Sequence, residues 1–297
     1  MSVILGVNHQ FLYPEAITNA VAHTATLKRL AANQLVDALD CWIWRGESSA
    51  EEIKILKDSG KIINYNVGDR FGEEQSFPAS PEKTERERAY SLLMREVGYA
   101  LEVGSKKIVF ALGPDLPTDR EAAKERVLEL TLRVASQLPD DVHLSLEPTD
   151  RDIDKKFLFG PVSETVEFIG RVKQNGFERI GLLLDMCHVP IMHETLESAL
   201  EKSKGVLNHV HLGNGVMKTD SPFYGDKHTA WNHPDGLYTE ADGGRFIHML
   251  KEIGYLDRAD ATVSFEMRPY EGKSAEESLE RFVSVFNRGM TERGERI

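Results

Sequence analysis

Hydrophobic and polar residues follow two different rhythms along the chain. Short apolar or β-branched runs, typical of strands, are separated by longer segments in which apolar residues recur every three to four positions. Eight short runs are present, at residues 2–8, 35–44, 61–67, 106–112, 141–147, 179–185, 206–213 and 261–267. Most of them are apolar almost throughout, which is typical of parallel strands covered on both faces of a sheet.

The longer segments between the strands predict helices. Residues 84–103 and 118–138 each place their apolar side chains on one helical face. Several segments open with a hydroxyl residue followed three positions later by glutamate, which predicts a capping box at a helix N-terminus. The pairs are Ser49 with Glu52, Thr84 with Glu87, Thr118 with Glu121, and Ser274 with Glu277.

Strand and helix alternate eight times within 297 residues, and no linker divides the chain. This pattern predicts an α/β fold, a single (β/α)8 TIM barrel domain that spans residues 1–297. An open, doubly wound sheet is the alternative, but no G-x-G-x-x-G motif follows the first strand. The longest segment without a clear period is residues 213–244, after the seventh strand. It is expected to form a functional or mobile loop.

Composition and charge narrow the classes of partner. The formal net charge is −12, and the chain has only two cysteines, Cys41 and Cys187. The excess of acidic residues disfavours binding to nucleic-acid phosphates, and two cysteines cannot form a disulfide framework for a domain of this size. The N-terminal sequence is neither a signal peptide nor long enough to span a membrane. We therefore expect a cytoplasmic protein without nucleic-acid or membrane partners.

Polar residues stand at the ends of four consecutive predicted strands. These are Glu147, Asp185, His211 and Glu266 on strands five to eight. In a barrel these strand ends converge on one face, where three carboxylates would repel one another and lose hydration. A divalent cation would remove both problems, and three oxygen ligands with one imidazole suit Mn²⁺, Mg²⁺ or Co²⁺. The sequence therefore predicts a metal site.

This residue set resembles that of the xylose isomerase-like barrel superfamily, and its spacing is most similar to the ketose 3-epimerases of the tagatose/psicose type. The resemblance implies a sugar isomerase or epimerase with one divalent metal ion, Mn²⁺ first, with Mg²⁺, Co²⁺ or Zn²⁺ as alternatives. It implies that Glu147 and Glu266 are both metal ligands and the acid/base pair. It also implies that His188, three residues after Asp185, holds a substrate oxygen.

The chain departs from the epimerase pattern after the seventh strand. It reads "HLGNGVMK", so Asn214 replaces an acid and Met217 replaces a substrate-binding arginine. Lys218 or Arg268 is the candidate for the missing positive charge.

Further candidates for substrate contact come from other strand ends and from the long loop. Trp42 and Trp44 offer aromatic faces to a sugar ring, and Asp226, His228 and Trp231 are expected over the pocket.

Three alternatives stay open from the sequence. A dehydratase (lyase) acting on a keto-polyol would use the same metal and enediolate chemistry. A three-zinc phosphodiesterase of the apurinic endonuclease type would match Asp226 and His228, but the third and fourth strands lack its histidines. A non-catalytic sugar-binding barrel would not need paired carboxylates. The expected partner is a small sugar, unphosphorylated because no Arg/Lys cluster is evident at the strand ends, and the protein is compatible with a homodimer or homotetramer.

Overall fold

The structure, a computed structural model, describes residues 3–68 and 70–291 and contains a closed barrel of eight parallel strands. Each strand pairs with its neighbours in chain order, and β1 closes the barrel against β8 with Val7 opposite Phe265. The strands are β1 Ile4–Asn8, β2 Ala38–Cys41, β3 Ile62–Asn66, β4 Lys107–Phe110, β5 His143–Leu146, β6 Ile180–Asp185, β7 Leu207–Leu212 and β8 Thr262–Phe265. The prediction of a (β/α)8 barrel is confirmed, although the predicted start of the first strand, Ser2, lies outside the described residues.

Helices follow every strand of the barrel. They are α1 His9–Leu12, α2 Ala20–Ala32, α3 Ser49–Asp58, α4 Arg70–Glu73, α5 Lys83–Glu102, α6 Arg120–Ala135, α7 Val162–Gln174, α8 His188–Ile191, α9 Leu196–Ser203, α10 Glu240–Glu252 and α11 Ala275–Thr291. Short 3₁₀ turns lie at Pro14–Ile17 and Tyr255–Asp257. Across the two described ranges, no helix combines the length and apolar character needed to cross a bilayer.

One of the predicted capping boxes is present. The Ser274 amide donates to Glu277 at 2.9 Å, and the Glu277 amide donates to the Ser274 hydroxyl at 3.1 Å. An unpredicted box at Thr239 and Asp242 opens α10, with aspartate in the place of glutamate.

The other predicted capping boxes are wrong, because their glutamates bind partners elsewhere. Glu52 is fully buried and accepts hydrogen bonds from the His23 ring at 2.9 Å and the Trp44 amide at 2.7 Å. The other two form ion pairs, Glu87 with Arg133 and Glu121 with Lys124. The spacing of the residues predicted these caps, but in the folded protein each glutamate binds another partner.

The segment after β7 is held by its own polar groups. It covers residues 213–239 rather than 213–244, because α10 begins at Glu240. Asn214 is fully buried; its amide donates to the Ala230 carbonyl at 2.9 Å and accepts from the Tyr238 amide at 2.9 Å. The residue that replaces an acid of the epimerase pattern therefore fixes the loop.

Trp231 lies in the core, so the expectation that it covers the pocket is wrong. Its ring is fully buried and packs edge-on against Phe265 and Phe282. Helix α10 approaches it so closely that a Cβ at Gly243 would lie 2.6 Å from the indole. The adjacent Gly244 has no such contact, since a Cβ there would meet its nearest neighbour at 4.0 Å.

Replacing Gly243 by alanine is therefore expected to destabilise the protein by about 1–3 kcal/mol, because the new methyl group overpacks the Trp231 ring. Gly244→Ala is the matched control on the same helix. It should be neutral or should stabilise by about 0.5–1 kcal/mol, because alanine favours the helix over glycine. Denaturant unfolding of both variants measures the difference, and equal stability of the two would contradict this packing.

Candidate active site

Four candidate metal ligands converge at the carboxyl ends of neighbouring strands. Asp185 ends β6 directly opposite His211 of β7, Glu147 follows β5 and Glu266 follows β8. One donor atom from each of the four lies within 4.8 Å of the others. Asp185, His211 and Glu266 are buried, and Glu147 is half-buried. The structure thus brings together all four residues that the sequence places at the strand ends.

In three of these side chains, one polar atom is held by a hydrogen bond within the protein. The other polar atom points toward the centre of the cluster. Asp185 Oδ1 accepts from the Cys187 amide, and a Cβ at Gly213 would come within 2.9 Å of that oxygen. Glu266 Oε1 accepts from the amide of Asn8 at 2.7 Å. Asp185 Oδ2, Glu266 Oε2 and His211 Nδ1 are buried without a hydrogen-bond partner among the described residues.

The unpartnered atoms face one another. His211 Nδ1 touches Glu266 Oε2 and lies 3.7 Å from Asp185 Oδ2 and 3.8 Å from Glu147 Oε1. Each buried polar atom left without a partner costs about 1–3 kcal/mol, so three converging orphans indicate a missing common partner. The donors are three carboxylates and one imidazole, which fits one divalent cation.

Asp40, on β2, contacts the ring nitrogen of His211 that does not face the other candidate ligands. It accepts from His209 Nε2 at 2.7 Å and lies 3.3 Å from His211 Nε2. Burial opposes ionisation of Asp40, but its interactions with His209 and then His211 hold its pKa well below the ordinary value. A carboxylate behind a histidine fixes the ring so that the opposite nitrogen is available as a ligand. Sequence reasoning missed Asp40, whose only signal is a lone acid within an apolar strand.

His209, two positions before His211 on β7, is a fully buried core histidine that lies below the site. Its Nδ1 contacts the Thr262 carbonyl at 3.2 Å, and burial lowers its pKa to about 4. It is therefore neutral at physiological pH and fills the barrel interior.

A second group of polar side chains forms the adjoining wall. Asp226 accepts from His188 Nε2 at 3.1 Å and from His228 Nε2 at 2.6 Å. Burial lowers the pKa of both imidazoles, but nearby acids, Asp226 first, outweigh it: His188 rises well above its ordinary value and His228 rises to about 9. Both histidines are thus cations that can donate hydrogen bonds, and His188 Nδ1 lies 3.5 Å from Glu147.

These residues enclose a cavity of about 200 Å³. Its lining includes Glu147, Lys155, His188, Asp226, His228 and Glu266 from β5 to β8 and the loops that follow them, and Phe11, Trp42, Asn66 and Arg70 from the segments that follow β1 to β3. Of the two predicted tryptophans, Trp42 lines this cavity. Trp44 instead stacks against Trp42, with 5.5 Å between ring centroids, and lines a groove nearby.

The structure places neither predicted cation in this cavity. Arg268 Nε donates to the Lys227 carbonyl at 2.9 Å, and the side chain lines a separate cavity beside Tyr270. Lys218 pairs with Asp235 at 2.8 Å on the surface. Besides His188 and His228, the lining contains the cations Arg70, in α4, and Lys155, in the loop after β5. Sequence reasoning missed both because neither stands at the end of a strand.

Comparison with known families identifies the fold family. A family model described as "Xylose isomerase-like TIM barrel" matches residues 44–285. The chain belongs to the xylose isomerase-like TIM barrel family. A comparison with curated proteins yields no significant match.

Solved structures of proteins named for different activities share this barrel fold. A D-tagatose 3-epimerase-like protein matches with a TM-score of 0.71 and 17% identity over 97% of this chain and 100% of its own. An AP endonuclease of family 2 from Brucella melitensis matches with a TM-score of 0.68 and 19% identity, over 95% of this chain and 98% of its own. A 3-keto-D-glucoside 4-epimerase from E. coli matches with a TM-score of 0.66 and 16% identity, over 96% of this chain and 99% of its own. At these identities the likeness shows the common fold.

Metal uptake at the four-ligand cluster is expected to release protons and to strengthen as the pH rises. Burial raises the pKa of Glu266 to about 7, and the neighbouring acids, Glu266 first, raise that of His211 well above its ordinary value despite its burial. A cation must displace these protons, so the loaded site holds fewer protons than the free site. We expect roughly tenfold or greater weakening of Mn²⁺ binding at about pH 6 relative to about pH 7.5. Calorimetric titration in buffers of different ionisation enthalpy counts the protons, and a pH-independent affinity would contradict this ligand set.

Asp40→Asn is expected to weaken metal binding by about 10–100-fold, because His211 loses the charge that orients its ring. Ser264→Ala provides the control, since the Ser264 hydroxyl also donates to Asp40 but makes no hydrogen bond to a candidate ligand among the described residues. Metal affinity of the folded variants, checked by circular dichroism, is the measurement. A folded Asp40→Asn protein with unchanged affinity would show that the carboxylate only fills the barrel.

Proposed function

We propose that this protein is a divalent-metal-dependent sugar isomerase or epimerase that moves a proton at a carbon beside a carbonyl group. The observation that carries the proposal is the convergence of Glu147 and Glu266 with Asp185 and His211 in one cluster, whose two glutamates line a small cavity. Epimerases among the structurally similar proteins agree with this chemistry. Manganese is the metal we expect first, because the donor set is mainly oxygen.

The two glutamates are suited to proton transfer by their positions. β5 and β8 lie three places apart around the barrel, so Glu147 and Glu266 reach the cavity from different directions. Both line the cavity, and a positioned carboxylate acting as base contributes about 10²–10⁴-fold to such a reaction. A cation held by the four ligands would supply electrophilic stabilisation to the developing enediolate charge.

Other side chains of the lining are suited to orient a sugar. His188 is a buried cation whose two N–H groups face Asp226 and the Pro148 carbonyl, the latter at 3.2 Å, so it is fixed beside Glu147 and presents its positive charge to a substrate oxygen. Trp42 offers an aromatic face to the C–H surface of a sugar. The cavity of about 200 Å³ lies below the roughly 300–1,000 Å³ of drug-sized sites, which favours a single small sugar.

The contacts in the second polar group argue against a multi-zinc phosphodiesterase. His188, Asp226 and His228 satisfy one another, and none of their buried atoms is unpartnered within the described part of the chain. At the ends of β3 and β4, where the three-zinc pattern requires histidines, the cavity is lined by Asn66 and Ala111. The orphaned donors therefore support one cation rather than three.

Glu147→Gln and Glu266→Gln test the proposal. Each keeps the size and one oxygen donor but removes a base, so turnover should fall about 10²-fold or more while metal content falls far less. Glu87→Gln, on the exposed face of α5, is the matched control and should retain activity. Interconversion of ketoses in the presence of Mn²⁺ measures turnover, solvent deuterium incorporation measures proton exchange separately, and the metal content of each variant is determined alongside.

The outcomes separate the candidate functions. In an epimerase, each single variant should still exchange the substrate α-proton on the face whose base remains, but should not interconvert epimers. Loss of water from the substrate would identify a lyase. If either glutamine variant kept near-normal turnover, that glutamate would be a ligand only and the two-base assignment would be wrong.

A further inference from the structure

The cavity has two chemically different halves. Strands β5 to β8 and the 213–239 loop supply the carboxylates and imidazoles. Strands β1 to β4 supply Phe11, Trp42, Asn66, Ala111 and Arg70. A substrate whose reacting carbons lie beside Glu147 and Glu266 therefore directs its far end toward the second half.

Arg70 and Glu73, both in α4 after β3, are charged residues of that half, and Arg70 is buried. It is 7% exposed, its guanidinium carbon lies 3.7 Å from the Trp42 ring centroid, and Nη1 donates to Glu73 at 2.6 Å. Its Nη2 is buried without a hydrogen-bond partner among the described residues. Cation–π contact with Trp42 offsets part of the cost of burying the charge, but it does not provide an acceptor for the remaining N–H groups.

The ion pair with Glu73 does not explain why the arginine is buried. The Glu73 side chain is 53% exposed, and ion pairs between exposed groups contribute little to stability, so this pair would form as well at the surface. Lys155 also lines the cavity, with Nζ 3.5 Å from Asp226 Oδ2, and adds positive charge to the same space. Carboxylates line the same cavity, so its charge as a whole is not positive; the buried Nη2 of Arg70, without a hydrogen-bond partner among the described residues, is what indicates a ligand with an acidic group.

We propose that the substrate carries an anionic end group, a carboxylate or a phosphate, which Arg70 binds at the side of the cavity opposite the metal-ligand cluster. This inference rests on the proposed function, because it places the reacting carbons of a sugar at Glu147 and Glu266. Arginine binds a carboxylate or a phosphate through parallel N–H donors. A neutral sugar has no negative charge to pair with the guanidinium. The positive charge expected of Lys218 or Arg268 is thus supplied from β3, on a different side of the pocket.

A binding experiment tests Arg70 without requiring turnover. D-Gluconate and D-glucitol differ by one carboxylate, and their affinities for the Mn²⁺-loaded protein are measured by calorimetry. The unmodified protein should bind gluconate at least tenfold more tightly, Arg70→Met should abolish that preference, and Arg70→Lys should restore part of it. Affinity for glucitol should change little in either variant.

Arg126→Met is the matched control, because Arg126 is also partly buried and bound to an acid and a carbonyl but lies outside the cavity lining. It should keep the preference for gluconate. A preference that persists in Arg70→Met would place the carboxylate at the metal ligands and overturn the proposal. Equal binding of gluconate and glucitol by the unmodified protein would overturn it as well.

A turnover experiment identifies which anion is recognised. D-Fructose, D-fructuronate and D-fructose 6-phosphate share one carbonyl and differ at C6, and solvent deuterium exchange is measured for each. Faster exchange of the acid assigns a carboxylate, and faster exchange of the ester assigns a phosphate. Equal or faster exchange of fructose overturns the anionic substrate while the proposed function stands. If the metal-loaded protein exchanges none of them, the proposed function fails and the binding experiment alone decides the role of Arg70.

Discussion

Three carboxylates and an imidazole share the mouth of the barrel, and their mutual repulsion and lost hydration are the constraint around which the site is organised. Asn8 fixes one oxygen of Glu266, the Cys187 amide fixes one oxygen of Asp185, and Asp40 fixes one nitrogen of His211. In each case the other polar atom of the side chain has no hydrogen-bond partner among the described residues. Such an arrangement is costly unless something is bound between the free atoms, which is why the donor geometry carries more weight than the residue types.

The same criterion separates the two polar clusters of the site. His188, Asp226 and His228 are as buried as the candidate ligands, but their polar atoms are matched within the group and to nearby carbonyls. Matched groups stay in place without a cation, so they form a charged wall that can orient a substrate. The loop that carries Asp226 and His228 is in turn held by Asp154, whose carboxylate accepts from the Asp226 amide at 2.9 Å. The wall therefore depends on contacts between the loops after β5 and β7.

The strands and the four converging side chains could be predicted from the sequence because both depend on local pattern. Apolar runs mark the strands, and the barrel places their carboxyl ends together whatever the loops contain. The supporting contacts could not be predicted in this way. Asn8 and Glu266 are 258 positions apart in the chain, and Asp40 and His211 are 171 apart, so no spacing signal connects them. The incorrect capping boxes have the same cause, since Glu52 binds His23 and Trp44 rather than its own helix.

The division of the cavity explains how one barrel can serve different substrates. Residues that would hold the cation come from β5 to β8, where a small displacement would break a set of contacts that depend on one another. Trp42 follows β2 and Arg70 lies in α4 after β3, and they contact each other, with Arg70 also paired to the exposed Glu73 and Trp42 also stacked on Trp44. Substitutions in this second half leave the donor cluster intact, because no hydrogen bond joins Arg70 to any of the four candidate ligands in the described residues. Under the proposed function, substrate choice can therefore change in the segments after β2 and β3 while the residues proposed for proton transfer stay in place.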